Sequence, residues 1–193
     1  MSALRIFLVR HGSTAWQAAG RYCGHRDVPL TEAGRAQVAA LRRRFTPPAG
    51  VLAACSDLAR ARETAQILAP ELDWRVTAAL REVNFGGWEG LTYAETGHDD
   101  PQRLRDPDFT FSGGESGRML QARLDPAVDA LLAEADDALL LVAHQGPLAA
   151  AVLHLLQKPW ASFWDYRLPP AGLAELERRG DAWQAVRGEW NPA

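Results

Sequence analysis

Residues 5–14 read Arg5-Ile6-Phe7-Leu8-Val9-Arg10-His11-Gly12-Ser13-Thr14. The run Arg5 to Val9 is short, apolar and rich in β-branched residues, which predicts a strand, and the change at Arg10-His11-Gly12 is abrupt. The pattern recurs at Ala138 to Ala143 (ALLLVA), a continuously apolar run that predicts a strand covered on both faces and leads into His144-Gln145-Gly146. Val51 to Ser56 (VLAACS) follows the breaker Pro47-Pro48-Ala49-Gly50 and leads into Asp57-Leu58-Ala59-Arg60. Trp74 to Ala78 is a weaker strand candidate. Gly172 to Glu177 and Ala182 to Val186 flank Arg179-Gly180-Asp181 as a hairpin.

Helical patterns lie between these segments. Thr31 caps a predicted helix through Ala36, Val38, Ala39 and Leu41 that Thr46-Pro47 ends, and Asp57 caps one through Leu58, Ala61, Ala65 and Leu68 that Pro70 ends. Met119 to Ala133 and Pro147 to Leu156 also repeat apolar residues at helical spacing. Strands alternating with helices predict an α/β fold, a three-layer α/β/α sandwich around a mostly parallel central sheet. In such sheets ligands sit beyond the carboxyl ends of the strands. Arg10, His11, Arg60 and His144 follow three separate strands and so meet at one edge, an arrangement that a hydrophobic core does not require.

The length of 193 residues is that of one ordinary domain, expected to span 1–193. Phe85 to Ser116, rich in Gly, Asp, Pro and aromatics, reads as an irregular lid or specificity excursion. Hydrophobic residues at 47% with 23% charged residues give a globule with a core and exclude disorder. A net charge of −3 leaves no polybasic footprint, so no nucleic-acid partner is expected. No apolar run approaches the ~20 residues that cross a bilayer, so no membrane is expected either. Met1 to Arg5 shows no signal-peptide pattern, so a reducing cytoplasm, with Cys23 and Cys55 as free thiols, is the expectation. The arginine and alanine excess, with Lys158 the one lysine, reads as composition bias.

Two arginines with two histidines suit a dianionic oxyanion. Guanidinium offers a planar fork of donors that matches phosphate oxygens and stays charged at any working pH. Phosphoryl transfer needs donors around the equatorial oxygens and a nucleophile, which histidine can be. It also needs a proton donor for the leaving oxygen. Glu82, in Leu80-Arg81-Glu82-Val83-Asn84-Phe85-Gly86 after the Trp74 to Ala78 segment, reaches the same edge.

The residues then carry a resemblance. Leu8-Val9-Arg10-His11-Gly12-Ser13-Thr14 resembles the signature of the histidine phosphatase superfamily, whose fold is phosphoglycerate mutase-like. Further blocks follow in family order as far as residue 146. They are Gly24, Asp27 and Pro29-Leu30-Thr31 with Gly34; Ser56 to Ala61 with Thr64-Ala65; Leu80-Arg81-Glu82 with Phe85-Gly86 and Trp88-Glu89-Gly90; Gly113-Gly114-Glu115-Ser116; and Val142-Ala143-His144. One such tripeptide means little; the ordered set is specific.

The resemblance implies that His11 is the nucleophile and carries a phosphohistidine, and that Arg10, Arg60, His144 and the backbone N–H of Gln145 grip the phosphoryl group. Glu82 is implied as proton donor and then as activator of water. Thr14, Gln17, Cys23, Gly24, Glu115 and Ser116 are the expected substrate contacts. No metal and no cofactor is implied, in keeping with the absence of a tight His/Cys/Asp cluster from the sequence. The expected activity is that of a phosphomonoesterase on a small phosphorylated metabolite, of the α-ribazole-phosphate or broad-specificity type. The alternatives are a phosphoglycerate mutase and a non-catalytic phospho-ligand-binding relative. The stretch 85–116 is short for a mutase insertion, and the complete residue set argues against a pseudoenzyme.

Gln17 and Gln145 stand where many relatives have Asn and Gly, and Cys23 where many have a hydroxyl. Glu89 is the rival acid, read as a solvated or rim residue, and Arg62 as a surface arginine. His25, His98 and His154 are read as structural or surface. Trp160 and Trp164, at i and i+4, are expected to form an exposed apolar patch for a homodimer contact.

Overall fold

The computed structural model describes residues 3–96 and 105–190. Its frame is a six-stranded sheet made of β1 (Arg5–Arg10), β2 (Leu52–Ser56), β3 (Trp74–Thr77), β4 (Ala138–Ala143), β5 (Leu173–Arg179) and β6 (Ala182–Gly188). The order is β3-β2-β4-β1-β5-β6, with β3, β2, β4 and β1 parallel and β5 and β6 antiparallel. The β5–β6 turn passes through Gly180 at φ 60°, a left-handed conformation that glycine adopts without cost.

The two central strands show why the fold has three layers. Side chains alternate across a strand, and every core position of β1 and β4 is apolar. Ile6, Leu8, Leu139 and Leu141 face one side. There they pack with Leu120, Leu124 and Val128 of α4 (Gly117–Glu134) and Leu148, Val152 and Leu153 of α5 (Gln145–Leu156). Phe7, Val9, Leu140 and Val142 face the other side, against Val38 and Leu41 of α2 (Glu32–Arg44) and Ala61, Ala65 and Leu68 of α3 (Ala59–Leu68). A buried leucine of this kind contributes roughly 1.5–3 kcal/mol.

Thr31 caps α2 as expected, its hydroxyl accepting from Gly34 N–H. The cap on α3 is different. Leu58 is the cap residue and makes no side-chain cap bond. Asp57 instead pairs with Arg81, and Asp27 reaches across to accept from Ala59 N–H at 2.7 Å. A bidentate arginine is a stronger partner for Asp57 than one amide.

Cys23 and Cys55 are free. No helix among the described residues is long and apolar enough to cross a membrane. Of the 85–116 excursion, residues 97–104 lie outside the described part, and His98 with them. Its remainder packs Phe85, Trp88 and Phe109 with Tyr22 around Phe111, which meets each of the four rings edge-on.

Candidate active site

β1, β4 and β2 are adjacent, so their carboxyl ends bring three segments together. His11 leaves β1 with its backbone still in the ladder, its N–H on Ala143 O and its C=O accepting from Ala171 N–H. Its imidazole Nδ1 lies 2.7 Å from Gly12 O. A carbonyl only accepts, so Nδ1 carries the proton and Nε2 holds the lone pair. Gly12 allows this bend because its backbone approaches α2 closely; a Cβ there would sit 2.5 Å from Gly34 O. Gly12 N–H is held by the Thr64 hydroxyl, which in turn donates to Arg60 O. Burial, with the Arg60 and Arg10 charges adding, pushes the His11 pKa well below 6.5. The ring is neutral at physiological pH, and its lone pair is available.

His144 faces His11 with ring centroids 5.0 Å apart. Its Nδ1 accepts from Arg60 Nε–H at 3.1 Å, so its Nε2–H donates to Ser56 Oγ at 2.9 Å. Burial and the same arginines hold it well below 6.5 as well. Arg60 is fully buried, and the rest of its bonding goes to the backbone, to Cys23 O, Gly24 O and Arg26 O. Arg60 and His144, the expected phosphate ligands, are thus bonded to each other at the strand ends. Arg60 brings charge to the site and its hydrogen bonds frame the loop 23–26, while His144 stays neutral between Arg60 and Ser56.

Arg10 is arranged differently. One Nη1–H donates to Leu168 O at 2.6 Å, while its Nε–H is buried with no acceptor among the described residues. A buried guanidinium N–H beside a neutral imidazole matches an oxyanion. Gln145 opens α5, where the first backbone N–H groups have no intrahelical acceptor and suit an anion. Its side chain does something the sequence did not reveal. It accepts from Leu168 N–H at 2.9 Å and donates to Tyr166 O at 3.4 Å, and so holds the segment that holds Arg10.

Glu82 is buried at the same edge. Its Oε1 accepts from Val83 N–H at 3.0 Å and Gly146 N–H at 2.9 Å, which leaves Oε2 to carry a proton. Burial raises its pKa above 4.5, against the pull of the Val83 N–H, Arg10, Arg60 and the Gly146 N–H. Burial thus pushes the imidazole and the carboxyl toward their uncharged forms in one place.

The other expected substrate contacts sort themselves. Thr14 and Gln17 form a reciprocal capping box on α1 (Ala15–Ala18), and the Cys23 thiol, raised in pKa chiefly by burial, bonds to Thr14. Gly24 lies against Val83 O and Glu89 Oε1, where a Cβ would overlap both. Glu115 and Ser116 have other partners than substrate. Glu115 pairs with Arg123 through both oxygens and accepts from Asn84 N–H, and Ser116 caps α4 on Met119 N–H. Glu89 is not a solvated acid. Its two oxygens take the N–H groups of His25 and Arg26 and hold the loop. Arg62 is exposed, as expected. His25 donates from Nε2 to Glu82 O, and His154 bonds Asp129 on α4. Trp160 and Trp164 do not form an exposed patch. They are partly buried around Phe163 against the core, with both indole nitrogens buried.

Residues 6–191 match the model of the histidine phosphatase superfamily, branch 1. The chain belongs to that superfamily. This histidine phosphatase is 34% identical over 175 residues to the adenosylcobalamin/alpha-ribazole phosphatase of Salmonella typhimurium, covering 86% of each chain. It is 35% identical over 208 residues to the glucosyl-3-phosphoglycerate phosphatase of Mycobacterium tuberculosis, covering 100% of this chain and 89% of the other. In structure it resembles a mycobacterial glucosyl-3-phosphoglycerate phosphatase, with a TM-score of 0.85, 32% identity and coverage of 99% and 100%. It also resembles a putative alpha-ribazole-5'-P phosphatase of Escherichia coli, with a TM-score of 0.86, 26% identity and coverage of 100% and 98%. The chain is accordingly a phosphatase, a phosphoric monoester hydrolase with an α/β, phosphoglycerate mutase-like fold.

Proposed function

We propose that this histidine phosphatase hydrolyses a small phosphorylated metabolite through a phosphohistidine on His11. Nε2 attacks phosphorus, and the P–O ester bond breaks with its electron pair on the leaving oxygen. That oxygen takes the proton from Glu82 Oε2. The Glu82 carboxylate then accepts a proton from water as the water oxygen attacks phosphorus, and the P–N bond breaks with its pair returning to Nε2. Arg10, the first turn of α5 and the charge of Arg60 offset the negative charge that builds on the equatorial oxygens.

The observation that carries this reading is the His11 Nδ1–Gly12 O bond, which fixes the tautomer and leaves Nε2 unprotonated. The relatives support the substrate class, one being named for α-ribazole phosphate and another for glucosyl-3-phosphoglycerate. Both esters head the substrate panel. A reducing compartment such as the cytoplasm suits its two free thiols.

The test is rapid quench during turnover. An acid-labile phosphoryl label on the chain, absent in His11→Ala, is the expected result. Phosphate release at the parental rate by His11→Ala removes His11 from the nucleophile role. Phosphoglycerate isomerisation without phosphate release would make the chain a mutase.

A further inference from the structure

One part-buried ion pair outside the phosphate-facing residues is organised around Glu82. Arg123, on α4, donates from Nε to Glu115 Oε1 at 2.6 Å and from Nη2 to Glu115 Oε2 at 3.0 Å. The same guanidinium donates from Nη1 to Ala79 O at 2.7 Å and from Nη2 to both Arg81 O and Glu82 O at 2.9 Å. Glu115 completes the strap: Asn84 N–H donates to its Oε2 at 3.0 Å, and its own N–H donates to Asn84 O at 2.8 Å. Burial raises the Glu115 pKa, but Arg123 and the Asn84 N–H outweigh it, and the net shift is downward. The pair is ionised at working pH. Side-chain exposure is 23% for Arg123 and 10% for Glu115, so the bonds are shielded from water.

We infer that Arg123 is a positioning residue for the proton-donating Glu82, acting through the main chain of 79–84. This rests on the reading of Glu82 as the acid. Residues 81–84 have no regular secondary structure, so no helix or strand ladder holds the main chain that carries Glu82, although Gly146 N–H on α5 meets its Oε1. The segment is fixed by three carbonyls gathered on one planar fork, with the Asn84 N–H on that fork's carboxylate partner. Lysine cannot reproduce this, because an ammonium is a point charge without the fork. Arg123→Lys keeps the charge opposite Glu115, which favours folding, while loosening the strap.

The discriminating readout is a ratio of activities. Para-nitrophenyl phosphate has an activated leaving group and needs little protonation; an unactivated alkyl phosphate needs it fully. The ratio of the two rates on one sample does not depend on the folded fraction. Arg123→Lys, Arg123→Met and Glu82→Gln are compared with the parent. Glu82→Gln is expected to lose about 10²-fold or more on the alkyl ester beyond its loss on the aryl ester. Both Arg123 variants are expected to shift the ratio in the same direction by at least about tenfold, as a misplaced catalytic group does. Equal losses on both esters in the Arg123 variants, alongside a discriminating Glu82→Gln, would overturn the inference and leave the acid assignment standing. Equal losses in Glu82→Gln itself would overturn the acid assignment and the inference with it.

Discussion

Gly146 and Glu82 are in backbone-to-carboxylate contact so close that a Cβ on Gly146 would overlap Glu82 Oε1 and stand 2.9 Å from Val83 Cγ2. The glycine is in the first turn of α5 with ordinary helical backbone, so no left-handed φ demands glycine there. Gly146→Ala therefore tests the placement of the acid with little cost to folding. It is expected to lose about 10–10²-fold in kcat on alkyl phosphates and much less on activated aryl phosphates, with Tm within a few degrees of the parent. Steady-state kinetics on both esters with a thermal melt checks this. An unchanged kcat on the alkyl ester would place the proton donor elsewhere.

Arg60 is a fully buried cation of the site and Arg10 a half-buried one, and the structure gives them different work. Arg10 has a buried Nε–H with no acceptor among the described residues, whereas Arg60 bonds His144 and three loop carbonyls. Arg10→Met is expected to cost about 10²–10³-fold in kcat while leaving stability within about 1 kcal/mol, because it removes a group whose bonding is incomplete. Arg60→Met leaves buried acceptors unpaired and is expected to cost about 3–5 kcal/mol of stability in addition to activity. Denaturant unfolding of the two variants separates them. Equal losses of stability would mean that Arg60 does not frame the loop.

The site's titration follows from two shifts of opposite sign. With ordinary values of 6.5 for His11 and 4.5 for Glu82, each group near pH 5.5 would be in its required form about one time in ten, and both together about one time in a hundred. Burial lowers the imidazole and raises the carboxyl, so the two windows move together. The profile of kcat/KM on an alkyl ester is expected to fall on the alkaline side as Glu82 ionises, and that limb is expected to vanish in Glu82→Gln. Stability carries its own dependence. His11 and His144 are neutral when folded, and in the unfolded chain they protonate below about pH 6.5. The unfolded state then binds more protons, so their stabilisation is complete above that pH and is lost as pH falls. The loss is at most about 1.4 kcal/mol per ring per pH unit. Urea unfolding at neutral and mildly acidic pH measures it, and His144→Phe should flatten the slope.

What could be read from the chain, and what could not, divides along one physical line. The runs at Arg5 to Val9 and Ala138 to Ala143 show the sheet because burial on both faces leaves continuous apolar strands. The strand-end rule then brings Arg10, His11, Arg60 and His144 together without any knowledge of distance. The misses are hydrogen bonds between remote segments. Asp57 has the right type and place for a cap, but Arg81 outbids the helix for it, and Asp27, thirty-two positions before Ala59, takes the amide. Glu115 resembles a substrate contact only until Arg123 is placed opposite it. Arg123 has no local signature among twenty arginines, since what marks it is the convergence of three carbonyls that no periodicity encodes. Trp160 and Trp164 keep their helical spacing but pack inward on Phe163.

Gln145 belongs to the same class of long-range effect and supports a test of its own. Its Oε1 holds Leu168 N–H, and Leu168 O receives Arg10 Nη1–H, so one residue stands between the two side chains. Gln145→Met keeps length and volume but withdraws the acceptor, leaving a part-buried N–H without its partner at a cost of about 1–3 kcal/mol. The segment is then free to drift, and Arg10 drifts with it. Inhibition by inorganic phosphate is expected to weaken about tenfold, equivalent to about 1.4 kcal/mol, with kcat falling by a similar factor. A double-mutant cycle gives the decisive comparison, because residues acting through one chain are not additive. In an Arg10→Met background the Gln145→Met effect on phosphate inhibition should largely disappear. If the same tenfold loss persists there, Gln145 acts on the phosphoryl group by another route, and the relay through Leu168 is wrong.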